Sequence, residues 1–422
     1  MISTNNISIH KFGGASVKNA EAVRNIAIIL KPQTLRLKKI IVVSAMGKTT
    51  NELEKVGEET NEETAKIKLQ AVAENHISVS KELGLEASFL QKLQSLFILP
   101  SGLHDDARYD ELVAIGELAS TMIVAEYLKV EGFDAAWWDV RNTIITDARH
   151  RSARVDEDKL SDFGVEMVAQ LDCCDTLVTQ GFIGKSQFGL TTTLGREGSD
   201  YSAALLATAS GAAEVIIWKD VQGMHNADPN IFNGTVTIEK LDYSEALELS
   251  YYGASVIHPR TVKPIKNRRI PLYVKSFLNP EGLSTCIGDF PFLEITTPMY
   301  ISRPDITCLS LGPSDHSFVG EDHLQTVFGA LAEAGIHVRM MQNSAVRFEI
   351  AFDTDFSKQK IFESELGIGF WSTSRKDIEL LTVRHGTEEL INKLSDGREV
   401  LMEQINPSTT RRLLGVKTVK KV

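Results

Sequence analysis

Three short glycine-containing segments carry charged side chains in patterns that suit the binding of anions. The first, KFGGAS, follows a stretch that predicts a strand and places Lys11 close to Gly13 and Gly14. Glycine lets a ligand approach the backbone closely, and the amides that open a following helix attract a negative charge. A tight turn beside a surface lysine is the simpler alternative, and this segment alone leaves both open.

The second segment, TTTLGREGSDYSAALLATAS, combines an arginine with two glycines and then with a helix of small residues. Arg196 lies between Gly195 and Gly198, and Ser199 and Asp200 follow at the predicted start of the helix. A helix cap would explain Ser199 or Asp200, but not the whole combination. Because a guanidinium binds a carboxylate through two parallel hydrogen bonds, Arg196 is a candidate for binding one.

The third segment, WKDVQGMHNADP, begins where a predicted strand ends. Lys219 and Asp220 stand at the carboxyl end of this strand, which is where ligands bind in parallel sheets. Asp220 is therefore a candidate for contact with a nucleotide or with Mg²⁺. Asp228, which precedes a proline, is better explained as a turn residue.

A fourth segment, IIVVSAMGKTTNEL, looks like the end of a P-loop but lacks the first glycine of that motif. Gly47, Lys48 and Thr49 follow an apolar run, yet Val42 occupies the position where the P-loop requires its other glycine. We therefore do not interpret this segment as a P-loop, although it remains a candidate to line the site of a phosphate donor or its substrate.

The composition is that of an ordinary globular protein of two or three domains. The chain has 422 residues, of which 43% are hydrophobic and 24% are charged. Its net charge of −11 argues against a nucleic-acid partner, and it has no apolar run of membrane-spanning length. The four cysteines lack metal-ligand spacing, and the first residues lack the features of a secretory signal. We therefore expect a cytoplasmic protein with reduced thiols.

Strands and helices alternate through the first part of the chain, which predicts an α/β fold with a largely parallel sheet and covering helices. Residues 112–128 show a pattern that predicts a long amphipathic helix, and residues 20–30 predict a shorter helix. The predicted strands cover residues 7–12, 40–43, 133–140, 176–179, 215–218 and 271–274.

A segment with glycine and proline between residues 282 and 298 predicts a boundary, after which the order of elements changes. The elements predicted beyond it are a strand over 307–311, a helix over 323–334, strands over 338–344 and 346–352, and a strand over 378–383. A polar helical segment and a basic tail are expected to follow. The order strand, helix, strand, strand predicts a small ferredoxin-like unit.

Together these segments resemble those of the aspartokinases, which are members of the amino-acid kinase family. The resemblance rests on KFGGAS, VVSAMGKTTNEL, ELVAIGEL, TQGFIG, TTTLGREGSDYSAALLA, WKDVQGMHNADP and YYGASVIHPRT, in the family's order, and on MMQNSAVRFEI beyond them. It implies an amino-acid-kinase fold over residues 1–295, with a largely parallel sheet sandwiched by helices. A small α+β ferredoxin-like (ACT) regulatory unit over 296–372 and a reduced second unit over 373–422 would follow.

The resemblance implies phosphorylation of the β-carboxylate of L-aspartate with ATP and Mg²⁺, the first step of lysine, threonine and methionine biosynthesis. The carboxylate is already ionised at neutral pH, so the site must align two anions and neutralise developing charge. Lys11 and Asp200 are the implied catalytic residues: Lys11 stabilises the transferred phosphoryl group, and Asp200 orients the lysines and helps to hold the metal-bound phosphates. No side chain is implied as an assured direct ligand of the metal.

For the amino acid, the resemblance implies that Arg196 binds the α-carboxylate and Glu117 pairs with the α-ammonium. Ser44, Thr50 and Ser199 are implied to complete the substrate pocket. The implied nucleotide-binding residues are Lys11, Gly13, Gly14, Lys219, Asp220, His225, Asn230 and Ser255.

Several positions depart from the family's pattern. The family usually has glycine in place of Glu197, whose carboxylate would compete for Arg196 or point to solvent. Many members have lysine in place of Ser255, tyrosine in place of His225 and arginine in place of Asn230. Lys219, where many members have threonine or serine, is a candidate to replace the cation that is lost at Ser255.

The ACT-like region implies a homodimer or higher homo-oligomer and an amino-acid effector, either lysine or threonine. Val338, Arg339, Asn343 and Ser344 are the implied effector residues. Lysine-inhibited relatives have an acid or an amide where Arg339 stands, so a guanidinium that points into the site would repel lysine. It would not do so if it points outward. We expect lysine to inhibit weakly or not at all.

Two other functions fit parts of the sequence. Another amino-acid kinase, acting on glutamate or on a nucleoside monophosphate, would share the phosphoryl chemistry, but the pair Arg196 and Glu117 favours an α-amino acid. A non-catalytic amino-acid sensor would have no use for Lys11, Asp200 and Arg196.

Overall fold

The computed structural model describes residues 6–31, 38–254 and 257–417, and the chain divides into two compact units. Unit 1 comprises residues 1–224, 237–251 and 255–293, and unit 2 comprises residues 225–236, 252–254 and 294–422. None of the helices within the described ranges combines the length and the apolar character that crossing a membrane requires.

The helices and strands have the following bounds. The helices are α1 (Ala20–Leu30), α2 (Thr49–Gly57), α3 (Glu62–Glu82), α4 (Ala87–Gln94), α5 (Asp105–Val130), α6 (Glu157–Gln170), α7 (Gly198–Ser210), α8 (Tyr243–Tyr252), α9 (Pro259–Arg268), α10 (Glu321–Glu333), α11 (Phe356–Leu366) and α12 (Glu388–Ser395). The strands are β1 (Ile7–Phe12), β2 (Lys38–Val43), β3 (Ala135–Trp138), β4 (Ile145–Thr146), β5 (Thr176–Gln180), β6 (Ile183–Ser186), β7 (Thr191–Thr193), β8 (Glu214–Lys219), β9 (Met224–His225), β10 (Thr237–Ile238), β11 (Lys240–Asp242), β12 (Leu272–Ser276), β13 (Thr285–Gly288), β14 (Met299–Pro313), β15 (Val338–Asn343), β16 (Phe348–Asp353), β17 (Phe370–Arg384), β18 (Arg398–Asn406) and β19 (Thr409–Lys417).

Unit 1 is built on a largely parallel sheet, as the alternation of elements predicts. In the described residues its strand order is β11-β13-β12-β8-β1-β2-β5-β3, and the run from β12 to β3 is parallel throughout. Every residue of β1 and β5 is buried, which requires a covering layer on both faces of the sheet. Helices α1 and α5 supply part of the apolar core, and α7 packs on β1 and β8.

The parallel arrangement brings the carboxyl ends of β1, β2 and β8 together at one edge of the sheet. Lys11 near the end of β1 lies opposite Val42 of β2 and Ile217 of β8 in the ladder. The residues that leave these strands, such as Ser44 after β2 and Lys219 at the end of β8, therefore emerge side by side. The carboxyl edge of such a sheet is where this class of fold binds its ligands.

Two sequence predictions for unit 1 need correction. The helix expected to be amphipathic is α5, but residues 112–125 are all buried, because the helix is packed on all sides in the middle of the unit. The strand expected over 133–140 covers only Ala135–Trp138. It ends there because the Asp139 carboxylate accepts a hydrogen bond from the Arg141 amide and opens a 3-10 turn.

Unit 2 contains the predicted ferredoxin-like order in full. The elements β14, α10, β15, β16, α11 and β17 follow one another, and the antiparallel sheet has the order β15-β16-β14-β17-β19-β18 in the described residues. The hairpin of β15 and β16 is confirmed. The strand predicted over 307–311 is part of the longer β14, which pairs with β17 along most of its length.

The last part of the chain is more regular than the sequence predicts. The segment interpreted as a polar helical piece and a basic tail forms α12 and then an antiparallel hairpin of β18 and β19. Together with β17 it repeats the order strand, helix, strand, strand. Within the hairpin, Arg412 forms an ion pair with Glu403 on the facing strand.

Candidate active site

A cavity of about 610 Å³ lies at the carboxyl edge of the unit 1 sheet. Its lining carries cations and carboxylates in nearly equal number, which suits a ligand that bears both signs of charge. The lining residues are Lys11, Gly14, Ser44, Ala45, Gly47, Thr50, Glu54, Tyr109, Glu117, Arg151, Phe182, Gly195, Arg196, Glu197, Gly198, Ser199, Asp200 and Lys219. All four segments singled out by sequence thus contribute residues to this cavity, and WKDVQGMHNADP contributes Lys219.

The centre of the cavity wall is a carboxylate held between two lysines. The Lys11 Nζ lies 2.7 Å from Asp200 Oδ1, and the Lys219 Nζ lies 3.5 Å from Asp200 Oδ2. Burial raises the pKa of Asp200, but the charges of Lys11 and Lys219 outweigh this effect and leave the pKa below its ordinary value. Asp200 is therefore held in its ionised form, and because an ammonium has three N–H donors, Lys11 can also donate to an anion in the cavity.

Two loops approach each other closely beside this cluster. The Gly47 amide donates to the Gly14 carbonyl at 3.0 Å, and a Cβ added at Gly14 would lie 2.8 Å from the Gly47 carbonyl oxygen. Only glycine fits at this approach. Gly13 does not line the cavity, but its Cα faces the Lys11 ammonium, since an added Cβ would lie 3.5 Å from Nζ.

Glu117 lies in the middle of α5 and lines the cavity. Its Oε1 accepts a hydrogen bond from the Ala45 amide at 2.9 Å, whereas its Oε2 is buried and has no hydrogen-bond partner. Burial raises the pKa of Glu117 to about 8, although the Ala45 hydrogen bond and the charge of Lys11 act in the opposite direction. A buried carboxyl oxygen without a partner is a strong candidate to receive a ligand's proton donor.

Arg196 and Glu197 occupy the turn between β7 and α7, and neither side chain pairs with the other. Arg196 is exposed in the cavity lining and has no hydrogen bond or ion pair to any other described residue. Glu197 has a left-handed backbone, with φ at 53°, and its Oε2 is buried without a partner. Among the described residues no ion pair joins Glu197 to Arg196, so the competition for the guanidinium that the sequence raised as one alternative is not seen, and the Glu197 side chain is half-buried in the cavity lining.

The sequence did not predict a buried polar cluster that supports the cavity wall. Asp110 is fully buried and accepts hydrogen bonds from the His150 ring, the Arg151 amide and the Thr193 hydroxyl. The Arg151 guanidinium lies over the Tyr109 ring, 4.1 Å from its centroid. These residues come from three separate stretches of the chain, so no local motif could have grouped them.

Several predicted nucleotide-binding residues do not line the cavity. Asp220 is exposed beyond the end of β8, and His225 and Asn230 belong to unit 2. The His225 ring contacts the Thr235 hydroxyl, and the Asn230 side chain donates to the Asp228 carboxylate in a turn. Ser255 lies outside the described residues. Their contact with a nucleotide stays a prediction.

The candidate effector residues lie along β15 and the turn that follows it in unit 2. Arg339 donates to the Asp353 carboxylate through Nε and a terminal nitrogen, at 3.0 and 2.6 Å. Asn343 and Ser344 are exposed, and the Ser344 hydroxyl donates to the Arg347 carbonyl. Val338 is half-buried. The guanidinium of Arg339 is thus neutralised within its own unit.

Comparisons with known proteins agree with this fold and site. Residues 6–276 match the model of the amino acid kinase family. The chain is 32% identical to the lysine-sensitive aspartokinase 3 of Escherichia coli over 357 residues, which is 82% of this chain and 78% of that one. It is 30% identical over 389 residues to the chloroplastic bifunctional aspartokinase/homoserine dehydrogenase of Daucus carota, but it spans only 42% of that relative.

Solved structures give the same result. The crystal structure of E. coli aspartokinase III in complex with aspartate and ADP has a TM-score of 0.80 at 28% identity, covering 97% of this chain and 96% of that one. The same enzyme in complex with lysine and aspartate has a TM-score of 0.78 at 27% identity, with the same coverage. The chain therefore belongs to the amino acid kinase family, and within that family to the aspartokinases.

Proposed function

We propose that this protein is an aspartate kinase, which transfers the γ-phosphoryl group of ATP to the β-carboxylate of L-aspartate and forms 4-phospho-L-aspartate and ADP. The observation that carries the proposal is the cavity itself. It brings the Lys11–Asp200–Lys219 cluster together with the unpaired guanidinium of Arg196 and the unpartnered Oε2 of Glu117. A ligand with two carboxylates and one ammonium matches these groups in sign and number.

The proposed reaction needs no general base. An oxygen of the β-carboxylate attacks the γ-phosphorus, a bond forms between them, and the bond from phosphorus to the leaving oxygen of ADP breaks. The electron pair of the broken bond stays on ADP, so the negative charge moves across the site. Lys11 stabilises the charge on the transferred group, and Asp200 holds Lys11 and Lys219 in position. Arg196 and Glu117 hold the amino acid, with Ser44, Thr50 and Ser199 around it.

The nucleotide and its metal are proposed to enter together as MgATP. The two lysines, with the backbone near Gly13 and Gly14, are the groups in unit 1 that suit the phosphates. Among the described residues no three or more His, Cys, Asp or Glu side chains converge as a metal site. Because Mg²⁺ in such sites usually binds substrate phosphates and water with one or two carboxylates at most, we propose that it enters on the phosphates of ATP. When bound, the metal would neutralise charge on the phosphates.

The remaining proposals concern the whole protein. We propose residues 1–295 as the catalytic domain, 296–372 as an ACT-like unit and 373–422 as a second, smaller one. Regulation by an amino-acid effector is proposed by analogy with the lysine complex of the E. coli enzyme. Assembly as a homodimer is proposed from the resemblance of unit 2, with its ferredoxin-like order, to ACT regulatory units. The place in lysine, threonine and methionine biosynthesis follows from the proposed product, and the cytoplasmic location stays a prediction.

A substrate panel tests the proposed function. The purified protein is incubated with MgATP and each of L-aspartate, L-glutamate and a nucleoside monophosphate, and ADP release is measured. The proposal predicts that aspartate gives by far the highest rate. Equal or higher rates with glutamate or with the nucleotide would identify a different member of the family, and no release with any acceptor would favour a non-catalytic sensor.

A further inference from the structure

The cavity wall contains an unusual concentration of left-handed backbone. Among the described residues, eight non-glycine residues have positive φ, and three of them, Arg151, Phe182 and Glu197, line this cavity. A side chain in this conformation is strained, and such strain persists where the surrounding structure or a function compensates for it. Of these three residues, only Glu197 also has a buried side-chain oxygen without a hydrogen-bond partner.

The side chain of Glu197 also destabilises the folded protein, in addition to the strain of its backbone. Its Oε2 is buried and accepts no hydrogen bond, and the side chain does not cap α7 although Glu197 is the N-cap residue. A buried acceptor without a donor destabilises the folded state. Glycine would avoid both costs, so the carboxylate is costly to the folded chain in the absence of a ligand.

The other carboxylates of the cavity already have hydrogen-bond or ion-pair partners for at least one of their oxygens. Asp200 lies between two lysines, and Glu54 accepts a hydrogen bond from the Tyr109 hydroxyl at 2.6 Å. Glu117 uses Oε1 for the Ala45 amide. Among the described residues that line the cavity, the buried carboxylate oxygens with neither a hydrogen bond nor an ion pair are Oε2 of Glu117 and Oε2 of Glu197.

We propose that Glu197 is a specificity-determining residue that binds the ammonium group of the amino-acid substrate together with Glu117. An ammonium has three N–H donors, so two carboxylates on the same cavity can both accept from it. The neighbouring guanidinium of Arg196 stays free for the α-carboxylate. This inference rests on the proposed function, since it assigns a further residue to the same substrate.

Because the pKa of Glu117 is raised, the ammonium of the entering substrate needs an acceptor besides Glu117. With a pKa of about 8, Glu117 is largely neutral in the ligand-free protein near neutral pH and is a weak attractor of cations. The carboxylate side chain of Glu197 gives the entering ammonium a second acceptor in the same cavity. Substrate ammonium next to both groups then favours ionisation of Glu117 as well.

Two variants and one substrate analogue test the proposal. Glu197→Gln keeps the size of the side chain and removes its charge, whereas Glu197→Gly removes the side chain and relaxes the backbone. KM for L-aspartate is measured for both variants, together with the inhibition constant of succinate, which lacks the ammonium. We expect KM for aspartate to rise about tenfold in both variants, and succinate inhibition to change less than about twofold, because only the ammonium contact is lost.

Arg269→Gly is the matched control for the backbone. Arg269 also has a left-handed backbone, with φ at 55°, but it lies at the end of α9 and does not line the cavity. Glu197→Gly and Arg269→Gly should both melt at or above the temperature of the wild type, and only Glu197→Gly should raise KM for aspartate. A melting temperature lowered by Glu197→Gly would show that the side chain is needed for folding, and Glu197→Gln then decides.

The outcomes separate this inference from the proposed function. An active wild type whose KM for aspartate is unchanged by Glu197→Gln, or whose affinities for aspartate and succinate fall by the same factor, overturns the role of Glu197 alone. Succinate that is too weak to measure in all proteins leaves the aspartate KM to decide. A wild type that releases no ADP with aspartate overturns the proposed function.

Discussion

Unit 1 and unit 2 each contain one carboxylate held between two cations, and the two clusters differ in their surroundings. In unit 1, Asp200 lies between Lys11 and Lys219, and the side chains of Lys11 and Asp200 are only 11% and 5% exposed. In unit 2, Asp353 lies between Arg303 and Arg339, and the Arg339 and Asp353 side chains are 29% and 49% exposed. In both cases burial raises the pKa of the carboxyl and the cations more than compensate.

The same arrangement of charges has unpaired polar groups beside it in unit 1, whereas in unit 2 all of its charges are paired with one another. Around Asp200 the cavity holds further groups without partners, namely the Arg196 guanidinium and the Oε2 atoms of Glu117 and Glu197. Asp353 instead accepts hydrogen bonds from both arginines, so their charges are satisfied within the sheet of unit 2. An ion pair near the surface contributes little to stability, whereas buried unpaired groups beside a cavity indicate a ligand.

The largest expected effect comes from removing the lysine of the buried cluster. Lys11→Ala should lower the turnover of the proposed kinase reaction by about 10² to 10³, because Lys11 acts on charge that develops in the transition state. ADP release is measured on protein whose folding is checked by circular dichroism. Arg303→Ala, which breaks the corresponding pair in unit 2, is the control and should retain activity without an effector. A folded Lys11→Ala protein within about threefold of wild type would contradict the assignment.

The unit 1 site also shows which contacts could be predicted from the sequence and which could not. Lys11, Arg196 and Asp200 could be singled out locally, because their segments contain glycines and follow predicted strands. Glu117, and the grouping of all four residues in one site, were predicted only from the resemblance to the aspartokinases. Asp110 and its partners His150 and Arg151 were missed, since their contacts are formed only when β7, α5 and the segment before α6 fold together.

Three further features depended on packing between elements that are distant in the sequence. The burial of α5 on all sides could not be inferred from its own residues, whose spacing suggested one polar face. The left-handed backbone of Glu197 could not be inferred either, because glutamate rarely adopts it. The hairpin of β18 and β19 was not predicted, because charged residues such as Arg412 and Glu403, which pair across the strands, made this segment look like a polar tail.

The second prediction concerns the unpaired arginine of unit 1. Arg196→Ala should raise KM for aspartate by about 10- to 100-fold, because a charged hydrogen-bonding pair with the α-carboxylate is lost in both ground and transition states. KM for ATP should change little. Steady-state kinetics with each substrate varied in turn make the measurement. Equal increases in both KM values would mean that Arg196 faces the nucleotide or supports the fold.

The third prediction uses the raised pKa of Glu117. The unfolded chain ionises this carboxyl near its ordinary pKa of about 4.3, whereas the folded protein keeps it protonated up to about pH 8. Between these values the folded state binds more protons, so the wild type loses stability as the pH rises, and the loss ends above about pH 8. Glu117→Gln should therefore gain stability relative to wild type across this window, by up to about 1.4 kcal/mol per pH unit.

Urea unfolding of the wild type and of Glu117→Gln at several pH values measures this difference. A difference in the free energy of unfolding that stays constant from about pH 5 to about pH 8 would show that the carboxyl is ionised in the folded protein throughout. The same property predicts that the affinity of the wild type for aspartate increases as the pH rises toward 8, because the ammonium binds the ionised carboxylate.

The smallest effect is expected in unit 2. Because Asp353 neutralises Arg339, replacement by asparagine should increase sensitivity to lysine only about two- to fivefold. Kinase activity of the wild type and of Arg339→Asn is titrated with lysine and with threonine. Strong lysine inhibition of the wild type at sub-millimolar concentration would mean that Arg339 does not oppose the effector at all. A large gain of inhibition in Arg339→Asn would mean that its charge reaches the effector despite Asp353.

The most direct test of the central claim is to identify the acceptor of the phosphoryl group. Acyl phosphates react with hydroxylamine, so the protein is incubated with MgATP, L-aspartate and hydroxylamine, and the products are analysed by mass spectrometry. We predict aspartyl β-hydroxamate in an amount equal to the ADP released, with almost none from Lys11→Ala. ADP release without hydroxamate, or hydroxamate formed equally well from glutamate, would contradict the proposal that this cavity phosphorylates the β-carboxylate of aspartate.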